Sequence, residues 1–236
     1  KAMELFRYLQ EKDIFEAFYK KHLAKRLLLA KSASYEQEKG MLSRLKTECG
    51  SNYTCKLEGM FQVGAVQGEG EREASGVTTS PSSDIDIHVQ VLTTGYWPSS
   101  APSPGLLLPP EILALSGQFE AFYGAKYQGR RLHWAHSLER CVVSARFPRG
   151  RRDLEVSLFQ ALVLRCFNRA DRLELAQVRA ETGLELGELR RTLQSLACGV
   201  LGTRVLTKEP KGKEVADTDA FWFNEDYTNK LFRVKI

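Results

Sequence analysis

The chain has 236 residues, of which 43% are hydrophobic and 27% are charged, and its formal net charge is +5. This composition allows one or two hydrophobic cores, and the mild basic excess suggests acidic partners. No apolar run approaches the roughly 18 residues of a membrane span, and no signal-peptide pattern begins at Lys1. The five cysteines lack CxxC spacing and only four histidines accompany them, so we expect reduced thiols in an intracellular protein and no zinc signature.

Residues 1–61 have the pattern of helices in a bundle. The apolar residues that share one face of the first long helix are Phe15, Phe18, Tyr19 and Leu23. Arg26 falls inside this apolar arc and must therefore reach solvent or pair with an acid. Ser34 is placed to cap a second helix, Tyr35–Cys49, which ends at Gly50. We therefore predict a helical hairpin, the remnant of a helical bundle.

Residues 62–83 are rich in glycine and serine and have no apolar period, which predicts a flexible insert. Strand patterns then dominate residues 84–157. The strand candidates are 86–93, 131–136, 141–147 and 153–157, and the helix among them begins near Pro109 or Pro110. Together these elements predict a small mixed sheet covered on one face by a helix, that is, an α/β sheet domain.

Residues 158–236 change to short helices followed by extended segments. Three helices are indicated, the last two ending at Gly183 and Gly199, and the extended segments are 203–207, 220–224 and 231–236. Three short helices and a β-ribbon predict a winged-helix domain. The whole chain is thus predicted to be an α+β protein with a bundle remnant, a sheet domain and a winged helix.

Two surfaces are candidates for binding. The basic residues of the first long helix are Lys20, Lys21, Lys25 and Arg26. The simpler interpretation is a solvated helix face; the functional one is a landing site for an acidic partner, which raises association rates by roughly 10- to 1000-fold. The second surface is the edge of the predicted sheet, because open strand edges can accept a strand from another chain.

A catalytic site finds little support. Cys141 has no obvious activating neighbour, and Cys198 lies at a helix end where the dipole disfavours a thiolate. His133 and His136 are three apart in a predicted strand and would point to opposite faces. No phosphate-binding loop or nucleophile elbow is present.

Nucleic-acid binding by a winged-helix regulator is the alternative function. Arg190 and Arg191 lie on the helix that would be the recognition helix of a helix-turn-helix protein. Glu185 and Glu188 stand at the start of that helix, where base contacts would be made. We therefore favour a structural use of this helix over DNA binding.

Several long motifs occur in the order found in one protein family. They are FYKKHLAKRLL, SAS, MLSRLKTECG, TCKLEGMF, VLTTGYWP, LPPEI, GRRLHWAHSLERCVVSARF, LEVSLFQALVL, ELRRTLQSLACG and FRVKI. With them the chain resembles the C-terminal homology region of the cullin family, and within it the cullin-4 branch. The resemblance covers nearly the whole chain and breaks down between about residues 62 and 84. Long motifs in the correct order are strong evidence of relationship.

The resemblance implies a non-catalytic scaffold of a cullin–RING ubiquitin ligase. In this family a strand of a RING-box protein is built into the sheet, and a basic canyon attracts the acidic tail of ubiquitin-conjugating enzymes. The residues expected to pack around that strand are Leu132, Trp134, Val142, Val143, Leu154 and Val156. The four basic residues 20, 21, 25 and 26 would form the conjugating-enzyme patch.

Partners and location also follow from the resemblance. We expect no cofactor, with zinc only in the RING-box partner, and no membrane contact. The N-terminal repeats that bind a substrate adaptor are expected to lie outside these residues. The resemblance implies a location in the nucleus and the cytoplasm. It also implies a function in ubiquitin-dependent protein degradation.

Overall fold

The computed structural model of the protein describes residues 2–28, 34–65, 77–79, 85–98, 103–199 and 203–236. Two compact units divide the chain. The first comprises Lys1–Ser99 and Gly117–Gln128, and the second comprises Ser100–Ser116 and Gly129–Ile236. Helices and small sheets are mixed along the chain, which confirms the α+β prediction. Within the described ranges, no helix combines the length and the apolar character of a membrane span.

The first unit is built mainly of helices. Its elements are α1 (Ala2–Arg7), α2 (Lys12–Leu28), α3 (Tyr35–Cys49), α4 (Ser51–Ala65), β1 (Val77–Thr79) and β2 (Asp86–His88). The predicted second helix is confirmed with its caps: the Ser34 side chain accepts from the backbone N–H of Gln37, and Gly50 has a φ of 86°. The strands β1 and β2 pair antiparallel, with Thr78 opposite Ile87.

Helix α4 was missed by the sequence prediction. It starts one residue after Gly50 and continues to Ala65, so residues 62–65 are helical and the insert was predicted to begin too early. The apolar positions Leu57, Met60 and Phe61 of α4 are buried, which explains why this segment is a helix. Apart from these residues and 77–79, the insert prediction lies outside the described residues.

The core of the first unit is formed by the four helices α1, α2, α3 and α4 and by the turn that contains Trp97. Its buried residues are Phe6, Leu23, Ala24, Leu42, Leu45, Leu57, Met60, Phe61 and Trp97. Gly59 marks a close approach between α4 and this turn: a Cβ there would lie 2.5 Å from the ring of Tyr96. A larger residue at 59 would therefore have to displace the turn.

Among the described residues, the second unit contains two three-stranded sheets and three helices that lie wholly within it. Its elements are β3 (Arg140–Phe147), β4 (Gly150–Ser157), α6 (Leu158–Cys166), β5 (Arg172–Glu174), α7 (Leu175–Thr182), α8 (Leu186–Ala197), β6 (Leu206–Glu209), β7 (Ala220–Phe223) and β8 (Arg233–Lys235). The remaining helix, α5 (Pro110–Lys126), begins in this unit, and its residues from Gly117 on belong to the first.

The first sheet has the order β3-β4-β8. Strands β3 and β4 form an antiparallel hairpin with Val143 opposite Leu154, and β8 runs parallel to β4 with Val234 opposite Leu154. The hairpin strands 141–147 and 153–157 were predicted correctly. The predicted sheet also included residues 86–93, and this part was wrong. Those residues contribute β2 to the two-stranded sheet of the first unit, and the third strand of this sheet is β8.

The predicted strand 131–136 is also wrong. Residues 131–135 have no regular secondary structure, and His136–Leu138 form a 3₁₀ turn. The Leu138 N–H bonds to the Ala135 carbonyl at 2.8 Å, and His136 Nδ1 lies 3.0 Å from Glu139 Oε1. These local bonds turn the chain immediately before β3, so the apolar alternation in this segment does not lead to a strand.

The second sheet has the order β5-β7-β6, and α6, α7 and α8 pack with it. Helix α6 begins with a capping box of Ser157 and Gln160, and α7 ends at Gly183, whose φ is 66°. The element order agrees with the winged-helix interpretation, which stays a prediction. Residues 231–236 do not join its ribbon, because β8 pairs with β4 instead.

Candidate functional site

Strand β3 lies at the edge of its sheet. Only β4 pairs with it among the described residues. An edge strand of eight residues presents a row of unpaired backbone N–H and C=O groups, to which another chain can bind. The outer edge of β3 is therefore a candidate binding site.

The hydrogen bonds between β4 and β8 show which way the backbone of β4 points. The Asp153 N–H donates to the Phe232 carbonyl at 2.9 Å, and the Glu155 carbonyl accepts from the Ile236 N–H at 3.1 Å. Backbone directions alternate along a strand, so the groups of Leu154 point the other way, toward β3.

The backbone N–H and C=O groups of β3 divide between the hairpin and the open edge. Val143 is opposite Leu154, so these two residues form a hydrogen-bonded pair and the groups of Val143 are used within the hairpin. The groups of Val142 and Ser144 must then point to the open edge. The Leu158 N–H donates to the Glu139 carbonyl at 3.1 Å. Glu139 lies four residues before Val143, so this bond agrees with the alternation that directs the groups of Val143 into the hairpin.

The side chains of β3 follow the same alternation. Cys141, Val143 and Ala145 face the hydrophobic core and are only partly buried. Val142 points to the outer face and is 51% exposed. The inner face of β3 is thus incompletely covered on the side where its edge is open.

The six predicted strand-binding residues occupy three kinds of position. Leu154 and Val156 are fully buried in β4, so they support the edge from within the core. Val142 and Val143 lie on the edge strand itself. Leu132 and Trp134 precede β3, half-buried and outside any strand. The hairpin therefore brings four of the six together.

Ser144 is the edge residue that the sequence analysis missed. Its contribution is a backbone N–H and C=O, so its side chain type carries no signal. The direction of these groups follows from the pairing of β4 with β8, which lies about 80 residues further along the chain. Sequence alternation alone could not supply it.

The basic face of α2 has three lysines of differing exposure. Lys21 and Lys25 are exposed, whereas Lys20 is half-buried. Burial lowers the pKa of Lys20, and the neighbouring charge of Lys56 on α4 lowers it further. Lys56 thus belongs to the same electrostatic surface. It was missed because α4 was not predicted.

Arg26 differs from the three lysines. Its Nε and Nη2 lie 2.5 and 2.9 Å from the two carboxylate oxygens of Glu38, and the Tyr19 hydroxyl donates to the same carboxylate at 3.2 Å. Of the two alternatives predicted for Arg26, reaching solvent or pairing with an acid, the structure shows the pairing. Because its charge is balanced within the unit, Arg26 contributes less than the lysines to attraction at long range.

The second unit holds the helix considered for nucleic-acid binding. Arg190 of α8 lies 2.7 Å from Asp217, and Arg191 pairs with Glu188. Both guanidinium groups are thus already engaged with carboxylates of the same chain. This arrangement favours the structural role that we expected for α8.

A buried ion pair holds the segment between β6 and β7. Lys208 Nζ lies 2.6 Å from Asp219 Oδ2, and their side chains are 6% and 1% exposed. The same carboxylate accepts from the Ala216 N–H at 2.9 Å. The pair closes the loop on itself, and both of its charged groups are buried.

The surroundings of Cys141 and Cys166 do not suit a nucleophilic thiol. Burial and the charge of Glu139 raise the pKa of Cys141 to about 11. Burial and Glu181 raise the pKa of Cys166 to about 12. A thiol acts as a nucleophile in its ionised form, so both are inert near neutral pH. Among the described residues, no cluster of His, Cys, Asp or Glu is arranged to hold a metal ion.

Thiol labelling provides a first test of these environments. We expect Cys55, which is exposed, to react first with a thiol reagent at pH 8. Cys166, which is 5% exposed, should stay unlabelled until the protein is denatured. Peptide mass spectrometry of timed samples measures both rates. Equal rates for the two thiols in the native protein would contradict the structure.

Comparison with known proteins identifies the same family in both units. A family model described as the Cullin alpha+beta domain matches residues 91–227, and one described as the Cullin alpha solenoid domain matches residues 1–66. The chain is 50% identical to Cullin-4A from Mus musculus over 245 residues and to Cullin-4A from Homo sapiens over 238. It is 43% identical to Cullin-3A from Arabidopsis thaliana over 237 residues.

These relatives are considerably longer than the chain. Each alignment covers 100% of the chain, but only 31% of either Cullin-4A and 32% of Cullin-3A. The chain therefore spans about a third of the relatives that it matches. The higher identity with Cullin-4A agrees with the cullin-4 resemblance of the motifs.

Proposed function

Because the chain belongs to the cullin family, we propose that it is the RING-holding part of a scaffold subunit in a cullin–RING ubiquitin ligase of the cullin-4 type. The scaffold would act without catalytic residues of its own. The observation that carries this proposal is the open edge of β3, where the backbone groups of Val142 and Ser144 are directed away from β4.

A RING-box strand suits this edge for two physical reasons. Its backbone can bond to the groups of Val142 and Ser144, which supplies affinity without depending on side chains. Its side chains can also cover the partly buried Cys141, Val143 and Ala145, because alternate residues of an added strand face the core. An added strand therefore completes both the hydrogen bonding and the packing of β3.

The basic face of α2 supplies the second part of the proposal. Lys20, Lys21 and Lys25 would attract the acidic tail of a ubiquitin-conjugating enzyme, with Lys56 extending the surface. Such attraction acts mainly on the association rate. Ubiquitin transfer would then be promoted by proximity, since the scaffold holds the enzyme near its substrate. The zinc of the ligase would belong to the RING-box protein.

Co-purification tests the central claim. We expect the chain, co-expressed with a tagged RING-box protein, to be recovered with it in equal amounts. The same RING-box protein without its N-terminal strand is the matched control and should recover none. Equal recovery with both forms would place the contact elsewhere than on the β3 edge.

Charge reversal tests the conjugating-enzyme surface. Lys20→Glu with Lys21→Glu should slow ubiquitin-chain formation at low salt by about tenfold or more, because electrostatic steering raises association rates by roughly 10- to 1000-fold. The difference from the unaltered protein should shrink as salt rises. RING-box recovery should not change, which separates this defect from misfolding.

Lys211→Glu with Lys213→Glu is the matched control, since both lysines are exposed in the loop between β6 and β7. It changes the net charge by the same amount and should leave the rate within about twofold of the original, because these lysines do not belong to the basic face of α2. Equal slowing by both variants would show an effect of net charge and not of a defined surface.

A further inference from the structure

The turn between β3 and β4 carries an unusual concentration of positive charge. The segment from 146 to 152 reads RFPRGRR, with four arginines and no acidic residue. Phe147 is opposite Gly150, so the turn itself is Pro148–Arg149. Gly150 has a φ of 118°, a conformation that side chains with a Cβ rarely adopt. The tight turn fixes the backbone positions of these arginines.

Two of these arginines face each other across the hairpin. Arg146 is directly opposite Arg151. By the alternation of β3, Arg146 lies on the outer face with Val142 and Ser144, at a pair where the side chains approach most closely. Like charges directly opposite each other destabilise a hairpin. The fold therefore bears a local cost that a bound anion would remove.

Among the described residues, carboxylates offset this charge only in part. Within the described ranges, neither Arg146 nor Arg149 forms an ion pair, and both are exposed. Arg151 has one loose contact, 3.8 Å from Asp153, with its side chain 62% exposed. Arg152 points elsewhere: it donates to the backbone carbonyls of Arg151 and Asn229. Three guanidinium groups are thus available on one end of the sheet.

We propose that Arg146, Arg149 and Arg151 form a docking site, the arginine hairpin, for an aspartate- and glutamate-rich segment of a partner protein. Guanidinium groups bind carboxylates through paired, charge-assisted hydrogen bonds. The site uses side chains of the outer face at the turn, so it is separate from the backbone edge of β3 and does not depend on the scaffold function.

The rest of the outer face favours a peptide over a nucleic acid. Asp153 and Glu155 lie on this face beside the arginines and would repel any anionic group placed over them. They therefore confine the negative charge of a partner to the turn, which suits a short acidic run better than a continuous phosphate backbone. Val142, 51% exposed on the same face, offers an apolar contact that a phosphate backbone would not use. A short acidic run with an apolar residue next to it matches both features.

Binding of a defined probe tests the site. The probe is a fluorescein-labelled peptide of six alternating aspartates and glutamates followed by two leucines, measured by fluorescence anisotropy on the full chain. Lys20→Glu and Lys21→Glu are present throughout, so that binding to α2 does not mask the result. We expect Arg149→Glu to weaken binding about tenfold or more, as for the loss of charge-assisted hydrogen bonds.

Arg146→Glu gives a result that a folding defect cannot imitate. It should weaken binding to a similar degree, yet it places a glutamate opposite Arg151. The melting temperature should therefore stay the same or rise by about 1–3 °C. Arg140→Glu is the matched control: it changes the same charge on the same strand, opposite Ser157, and should leave binding within about twofold of the starting value.

Three results would overturn the proposal. The first is no measurable binding of the peptide before the hairpin is altered. The second is an equal loss with Arg140→Glu, which would show attraction by net charge alone. The third is tighter binding of a duplex DNA probe with the same dependence on Arg146 and Arg149, which would assign the hairpin to nucleic acid.

Discussion

Val142→Pro should reduce recovery with the RING-box protein strongly while leaving the chain folded. Proline lacks the N–H that Val142 directs to the open edge, and its ring occupies space beside that edge. The partner would be left with an unsatisfied carbonyl, which corresponds to roughly a 10- to 100-fold loss of affinity. Titration of the partner strand, as a labelled peptide, measures the loss directly.

Val143→Pro is the informative comparison, one residue away on the same strand. Its lost N–H belongs to the pair with Leu154 inside the hairpin, so this variant should lower the melting temperature of the second unit as well as binding. Val142→Thr keeps both the N–H and the branched side chain and should bind within about twofold of the original. These two variants separate the edge from the hairpin.

Two outcomes would contradict the assignment of the Val142 backbone to the open edge of β3. If Val142→Pro binds the peptide as well as Val142→Thr does, the partner does not pair with the backbone of β3. If Val143→Pro impairs binding while its melting temperature is unchanged, the alternation inferred from β4 and β8 is reversed. Either outcome would require a different contact between the two proteins.

Asp219→Ala should produce the largest loss of stability. Asp219 is 1% exposed and its Oδ2 lies 2.6 Å from Lys208 Nζ. Removing it leaves a buried ammonium without its partner, which costs about 3–5 kcal/mol. Chemical denaturation followed by circular dichroism at neutral pH measures the free energy of unfolding.

An exposed pair in the same sheet serves as the control. Nη2 of Arg172 lies 3.4 Å from Oε2 of Glu209, and the two side chains are 63% and 62% exposed. Glu209→Ala should cost only about 0–1 kcal/mol, because water already solvates both charges. A loss below about 1 kcal/mol for Asp219→Ala would mean that water solvates the Lys208 ammonium once the carboxylate is removed. The loop between β6 and β7 would then be more open than the structure indicates.

Local sequence signals predicted the elements that have local causes. The helix Tyr35–Cys49 was found because a serine and a glycine mark its ends, and the hairpin strands because their residues alternate. Arg26 was predicted to reach solvent or pair with an acid because it interrupts an apolar face, and it pairs with Glu38. In each case the signal lies within the segment that it predicts.

The failures have both local and distant causes. Helix α4 follows Gly50 directly, so the expected stop signal concealed a second helix. The strand predicted at 131–136 competes with the turn that begins at Ala135. The pairing of β8 with β4 depends on residues about 80 positions apart. The direction of the backbone at Val142 follows from that pairing, so the candidate site could be located by sequence but not oriented.

The alternation of β3 has a practical consequence for engineering. At Val142 and Ser144 the backbone is directed to the open edge and the side chain to the outer face, while the core is packed by the residues between them. Recognition by the main chain and selectivity by side chains can therefore be adjusted separately. The side chains at positions 142 and 144 could be varied in a library and screened against a partner strand that is randomised at the residues opposite them. We expect variants that each bind their own partner strand and not the strands selected by other variants, with the core of the protein unchanged.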